Sequence, residues 1–237
     1  MALDYLKARA REVGQKTLDN ERTALRLLDA PGYAMHGAHL PRVKAEYERV
    51  LYPHGRAYAP EQVRAIAAVQ SERNALATLI AHAAGLRAHE LLTLRRAEER
   101  PPSAHRTWSP ERFAGRDGVR YTVQGKGGLV REVLIPHELA QRLEARRLPE
   151  PEIVRDRKVF YEKLYDINGG QSWAKRFSAD SRKVLGWSAG AHGLRHGYAQ
   201  DRLRELQTLG ATWRQAMAIV SQELGHFRPE ITKEYLK

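Results

Sequence analysis

AHGLRHGYAQDRLRELQTLGATWRQAMAIVSQELGHFRPEITKEYLK, residues 191–237, is the stretch whose reading decides the fold. Its periodicity predicts helices over 191–207, 212–224 and 229–236, the second starting at Thr212 and the last with Pro229 in its first turn. His192 and Arg195, three apart, share one helix face. Both donate hydrogen bonds that a phosphate oxygen accepts, and the guanidinium adds a fixed fork that matches phosphate geometry. His226 follows Gly225 at the end of an apolar helix, where an imidazole also interacts favourably with the helix dipole. Tyr235 lies between Ile231 and Leu236, which are suited to packing. Each residue alone has an ordinary structural explanation.

Working back from this stretch, residues 59–85 (APEQVRAIAAVQSERNALATLIAHAAG) open with Pro60 and close with Gly85, the start and stop signals of one long helix. A second helix is expected in LRAHELLTLRRAEE, beginning near Arg87. The period then alternates: GVRYTVQ (118–124) and LVREVLIP (129–136) flank GKGG, which predicts a hairpin with Lys126 at its tip. Helical patterning returns at PHELAQRLEARR and around 172–185. Residues 3–29 read as two short helices broken near Gly14, with Thr17 or Asp19 as a cap for the second. Residues 30–57 are rich in Pro and Gly, with a short helical stretch at 43–51. The expected architecture is mainly α with a small antiparallel β-hairpin or sheet. A short helical module and linker at 1–57 precedes a larger domain at 58–237.

The chain has 237 residues, 40 Lys+Arg against 28 Asp+Glu, a net charge of +12 and a pI of about 10.1. The first 56 residues carry 10 basic and 7 acidic side chains and the remainder 30 and 21, so the excess is spread over folded segments. That favours a polyanion held against structured surface. With no cysteine, disulfides and thiolate metal sites are excluded. No apolar run approaches the length of a membrane span, and a cytoplasmic, nucleoid-associated setting is expected.

The odds change when the residues are taken together. AGLRAHELLTL (84–94), GKGG (125–128), HGLRH (192–196) and LGH followed by ITKEYL (224–236) resemble the tyrosine recombinase, or phage integrase, family over roughly residues 58–237. The family pattern is an Arg, a hairpin Lys, a His-x-x-Arg pair, a His or Trp, then a Tyr. Arg87, Lys126, His192, Arg195, His226 and Tyr235 fill all six positions in order. The resemblance implies a site-specific recombinase that cleaves and rejoins double-stranded DNA, for integration or excision of a mobile element. Tyr235 would attack phosphorus, giving a 3′-phosphotyrosyl link and a free 5′-hydroxyl. Arg87 and Arg195 would stabilise the phosphoryl charge. Lys126 would protonate the leaving oxygen. His192 would assist deprotonation of Tyr235 or hold a phosphate oxygen, and His226 would hydrogen-bond the phosphate. Glu90, one turn after Arg87, either orients that arginine or is an exposed helix carboxylate. No cofactor or metal is required, because the phosphodiester energy is kept in the phosphotyrosine.

The resemblance also implies tetramer assembly on DNA. Family members usually continue beyond the tyrosine into a tail that docks on a neighbour, whereas here two residues follow Tyr235. Residues 1–57 match a shortened DNA-binding module. Weaker DNA affinity and poorer synapsis than in a full-length relative are therefore expected, with Tyr235 mobile or misplaced in the absence of DNA or a partner subunit. Two decoys fail. RHG (195–197) lies late and in a helix, unlike the histidine phosphatase motif, and GKGG lacks the Ser/Thr that follows the lysine of a P-loop. A type IB topoisomerase would share the chemistry without synapsis, and a non-catalytic DNA-binding protein would share the fold.

Overall fold

In the computed structural model, residues 1–30, 33–34, 39–46 and 55–236 are described. The chain divides into two compact units, Met1–Pro53 and His54–Lys237.

The first unit holds α1 (Ala2–Arg9), α2 (Gln15–Leu27) and a two-residue antiparallel pair, β1 (Asp29–Ala30) with β2 (Tyr33–Ala34). The break near Gly14 falls where the sequence places it. Neither Thr17 nor Asp19 caps α2: the cap position is Gly14 itself, in extended conformation. Asp19 accepts from Arg42 and Gln15 instead. Leu6, Ala10, Leu18 and Leu40 make the small core. The helix expected at 43–51 does not form over 43–46, where Gln15 ties down the backbone of Val43 and Ala45; the rest of it lies outside the described residues.

The second unit begins with α3 (Pro60–Ala68) and α4 (Glu72–Ala83), where one long helix is expected. Ser71 adopts extended dihedrals and starts a new helix, while the Gln70 side chain bonds Thr78 and Asp180. The kink lets Val63 and Ile66 of α3 and Leu76 and Ile80 of α4 enter the same core. Gly85, at φ +60°, ends α4, and the Leu86 amide reaches back to the Ala81 carbonyl.

The helix expected from Arg87 is absent. Glu90–Thr93 forms a single 3₁₀ turn and the chain then extends into β3 (Arg95–Arg96). Glu90, Leu91, Leu92 and Leu94 are all buried, so this segment has no solvent face to offer as an amphipathic helix. Strand β3 pairs with β4 (Val119–Gln124), which pairs with β5 (Val130–Ile135) in the register Val119↔Ile135 to Gln124↔Val130. That is the expected hairpin, with Gly127 and Gly128 at positive φ in its tip.

After α5 (His137–Glu144) comes a second hairpin that the sequence reading missed, β6 (Arg147–Asp156) and β7 (Val159–Tyr165). Its turn places Arg157 at φ +59°, a role usually filled by Gly or Asn, so no turn signal marks it. Four helices complete the unit: α6 (Gly170–Leu185), α7 (His192–Thr208), α8 (Trp213–Glu223) and α9 (Pro229–Thr232), the last followed by a 3₁₀ turn, Lys233–Leu236. Thr212 caps α8 reciprocally with Gln215. The main core gathers Leu76, Ile80, Tyr121, Ile135, Trp173 and Phe177. A second cluster joins Tyr198, Leu203, Val220, Leu224 and Tyr235. No described helix is long and apolar enough to cross a membrane.

Candidate active site

The site is built around a carboxylate. Glu90 is completely buried, and its oxygens accept from the Arg87 amide at 2.7 Å, Arg87 Nη1 at 2.8 Å and Arg131 Nη2 at 2.8 Å. Arg195 Nη1 stands 3.8 Å away. Burial alone would raise the pKa of this carboxyl; the Arg131, Arg195 and Arg87 charges outweigh it and hold Glu90 ionised, well below the usual carboxylate range. Of the two sequence-level readings of Glu90, the exposed helix carboxylate is ruled out: it orients Arg87.

Arg195 is fully buried in α7. Its Nε donates to the Tyr235 hydroxyl at 3.1 Å, Nη1 to the Gly85 carbonyl at 2.5 Å, and Nη2 to the Leu224 carbonyl and to His226 Nε2 at 3.2 Å. Burial, then the neighbouring Arg87 charge, lowers its pKa to about 10, which leaves it protonated at neutral pH. Arg87 keeps 26% of its side chain exposed and sends Nη2 to His226 Nε2 at 3.0 Å. Of the two guanidinium groups, Arg87 is therefore the one that reaches solvent.

His226 Nε2 thus receives hydrogen bonds from two guanidinium groups. Arginine has no acceptor, so Nε2 presents its lone pair and the ring proton sits on Nδ1, which is buried without a partner among the described residues. Burial and then Arg195 push the His226 pKa down to about 3.

Tyr235 is only 6% exposed. Its ring lies against three imidazoles, with centroid distances of 5.4 Å to His192, 4.7 Å to His196 and 5.3 Å to His226. Its hydroxyl is 3.4 Å from His226 Nε2, and its carbonyl accepts from Gln200 at 3.0 Å. Against the expectation that it would be misplaced, Tyr235 lies at the cluster. The second apolar cluster draws Tyr235 against α7 and α8, and Arg195 Nε takes the phenol oxygen. His192 keeps an exposed edge, yet the surrounding protein and then Arg195 push its pKa to about 3.

Lys126 stands apart from this hydrogen-bonded cluster, exposed at the tip of the β4–β5 hairpin. The root of that loop touches the site: a Cβ on Gly125 would lie 3.3 Å from Glu90 Oε1 and 3.8 Å from Arg87 Nη1. Five of the six expected residues therefore gather around Glu90, and the sixth projects from a loop packed on the same carboxylate.

Two residues at the cluster were missed. Arg131 is 1% exposed and bridges Glu90 to the Glu223 and Gly85 carbonyls. The available signal was its phase: Arg131 shares the inward face of β5 with Val133 and Ile135. His196, 2% exposed, stands in the HGLRH and RHG motifs without a role assigned to it, although it is one turn beyond His192.

Two clefts meet beside Arg87. One, of 620 Å³, is lined by Arg87 and His192 with Lys175 and Arg182 of α6. The other, of 520 Å³, is lined by Lys126 and the β6–β7 turn. They share Ala88, Gln171 and Ala174. A cleft of 660 Å³ near Arg116 and Asp201 contains none of the six residues. Among the described residues, no group of three or more His, Asp or Glu side chains is placed to hold a metal ion.

No known family profile and no curated protein matches the chain by sequence. Solved structures match over nearly its whole length. The XerH site-specific recombinase bound to palindromic difH substrate, in a post-cleavage complex, has a TM-score of 0.60 at 15% identity, covering 99% of this chain and 65% of that one. Its pre-cleavage complex gives 0.55 at 16%, covering 98% and 65%. The Tn1549 transposon integrase in complex with circular intermediate DNA gives 0.51 at 14%, covering 99% and 79%. The chain thus spans about 65% of the length of the XerH recombinase. The fold is that of the tyrosine recombinases, mainly α with small antiparallel sheets.

Proposed function

We propose that the chain is a site-specific DNA recombinase that cleaves and rejoins double-stranded DNA through a 3′-phosphotyrosyl link on Tyr235. The observation that carries this reading is the Tyr235 hydroxyl, 3.1 Å from Arg195 Nε and 3.4 Å from His226 Nε2, with Arg87 on that same imidazole at 3.0 Å. A nucleophile, two fixed cations and a neutral imidazole share one hydrogen-bonded cluster. The DNA-bound recombinases of like fold support duplex DNA as the substrate.

In this mechanism the scissile phosphate first engages Arg87, and its nonbridging oxygens draw guanidinium N–H groups away from His226. The freed Nε2 lone pair accepts the Tyr235 proton. The phenol oxygen forms a bond to phosphorus, the bond from phosphorus to the 5′-oxygen breaks, and Lys126 delivers a proton to that oxygen. Arg87 and Arg195 stabilise the charge on the transferring group, and Glu90 with Arg131 keeps both in place. His192 holds a phosphate oxygen from its exposed edge. Assembly of four copies around two DNA duplexes, in the service of a mobile element, is the setting in which this chemistry recombines DNA.

The test uses a nicked substrate built on the sequence that the protein selects from random duplex DNA. A covalent protein–DNA adduct is expected, and Tyr235→Phe should abolish it. Failure of the native protein to form an adduct on its selected sequence would overturn the reading.

A further inference from the structure

We propose that the cleft between the Lys126 loop and the β6–β7 turn is a binding site for the deoxynucleoside carrying the 5′-hydroxyl released by cleavage. This rests on the cleavage reaction proposed above.

The position follows from connectivity. Lys126 protonates the 5′-oxygen, so the sugar and base attached to that oxygen lie next to Lys126, on the side of the phosphate away from Tyr235. The 520 Å³ cleft at Lys126 is also lined by Arg157, Phe160, Tyr161, His89 and Gln171. Its size is within the range of about 300–1,000 Å³ that small-molecule sites occupy. Through Ala88, Gln171 and Ala174 it is continuous with the basic cleft of Arg87, Lys175 and Arg182. A strand whose phosphate sits at Arg87 can thus place one neighbour along α6 and the other in this cleft.

The lining chemistry suits a nucleoside. His89 and Tyr161 stand 6.3 Å apart between centroids, tilted by 33°. Phe160 is 67% exposed although it is aromatic, and Arg155 sits 5.7 Å from its ring centroid. The exposed Phe160 ring beside a cation is a platform on which a base can stack, and the half-buried Tyr161 ring packs near His89 on the other face of β7. Gln171 supplies an amide for a base edge, and Arg157 and Lys126 supply charge for the phosphate that follows. The wall is also fixed in place. Asp156, at the end of β6, accepts from the Gln171 backbone N–H at 2.8 Å, and a Cβ on Gly170 would fall 2.6 Å from Asp156 Cγ.

Holding this end matters for the reverse step. In rejoining, the 5′-oxygen attacks phosphorus and the bond from phosphorus to the Tyr235 oxygen breaks. The 5′-hydroxyl proton returns to the Lys126 amine, and the phenolate recovers its proton from the His226 imidazolium. A captured end stays near the phosphotyrosine; a free one diffuses away.

The experiment starts from the covalent adduct and adds oligonucleotides with a 5′-hydroxyl, measuring the concentration that gives half-maximal rejoining. The terminal nucleoside is either intact or abasic. The template position opposite it is abasic in every substrate, so base pairing is the same in all arms. With the native protein the abasic end should require about 10-fold more oligonucleotide, the order expected of one lost base–ring stack. Phe160→Ala and Tyr161→Ala should raise the requirement for the intact end by a similar factor and remove the distinction between intact and abasic ends. Equal requirements for both ends in the native protein, or variants that keep the distinction, would overturn the inference while leaving the cleavage reaction standing. Absence of any adduct would instead overturn the proposed function and this inference with it.

Discussion

Glu90 is the residue on which the neighbouring charges depend. Removing one member of a buried charge cluster leaves the others desolvated and unpaired, which costs about 3–5 kcal/mol. Glu90→Ala should therefore destabilise the protein by that amount in urea unfolding, whereas Glu90→Gln keeps an acceptor and should cost less. Acid should act through the histidines. His196 is 2% exposed, and burial, followed by the nearby Arg56 charge, lowers its pKa from 6.5 to about 4. A histidine with a depressed folded pKa binds its proton more readily when unfolded, so its contribution is intact above pH 6.5 and is lost as pH falls toward 4. Between pH 6.5 and 5 the loss is about 1.5 kcal/mol for this residue, the slope approaching roughly 1.4 kcal/mol per pH unit only below pH 6. Glu90 works in the same direction, since its pKa is also lowered. Urea unfolding at both pH values checks the slope, and His196→Gln should reduce it. At this scale the sequence order of Arg87, His192, Arg195, His226 and Tyr235 was readable; Arg131 was passed over despite its phase with Val133 and Ile135, because a strand arginine usually points outward.

Among the elements, α7 carries His192, Arg195 and His196 and makes an unusually close packing contact. A Cβ on Gly193 would lie 2.4 Å from the Arg56 carbonyl oxygen and 2.5 Å from the Tyr58 ring; one on Gly197 would lie 2.5 Å from the Tyr58 carbonyl oxygen. These neighbours include main-chain atoms that cannot swing aside. Gly193→Ala and Gly197→Ala, which would stabilise an exposed helix by about 1 kcal/mol, should here destabilise by about 1–3 kcal/mol in denaturant unfolding. Restored or increased stability in either variant would show that α7 can shift from Tyr58. Element boundaries were legible where caps are strong, as at Thr212 and Gly85. They were not where tertiary demand overrides local signals. Gln70 bonds across to Asp180 at the break between α3 and α4, and Arg157 occupies a turn without glycine.

For the whole molecule, the net charge of +12 sets the expected response to salt. Arg87, Lys126, Lys175 and Arg182 all line the two adjoining clefts. If these four groups contact phosphates, duplex DNA affinity should drop about 10²-fold between roughly 50 and 200 mM salt, linearly in log affinity against log salt. A gel-shift titration measures the slope, and affinity insensitive to salt would remove the phosphate contacts from the interface.

The sequence by itself determined the helical and alternating periods, the central hairpin and the chain order of the six residues, because each is written in spacing and composition over a few turns. Only the tertiary structure decided that Glu90 is buried between Arg87, Arg131 and Arg195, that Tyr235 docks on α7, and that a second hairpin walls the cleft at Lys126. Arg87 and His226 are 139 positions apart in the chain and 3.0 Å apart in space. No local pattern specifies such a meeting. It follows from how two apolar clusters, drawn from segments far apart in the chain, pack within the second unit.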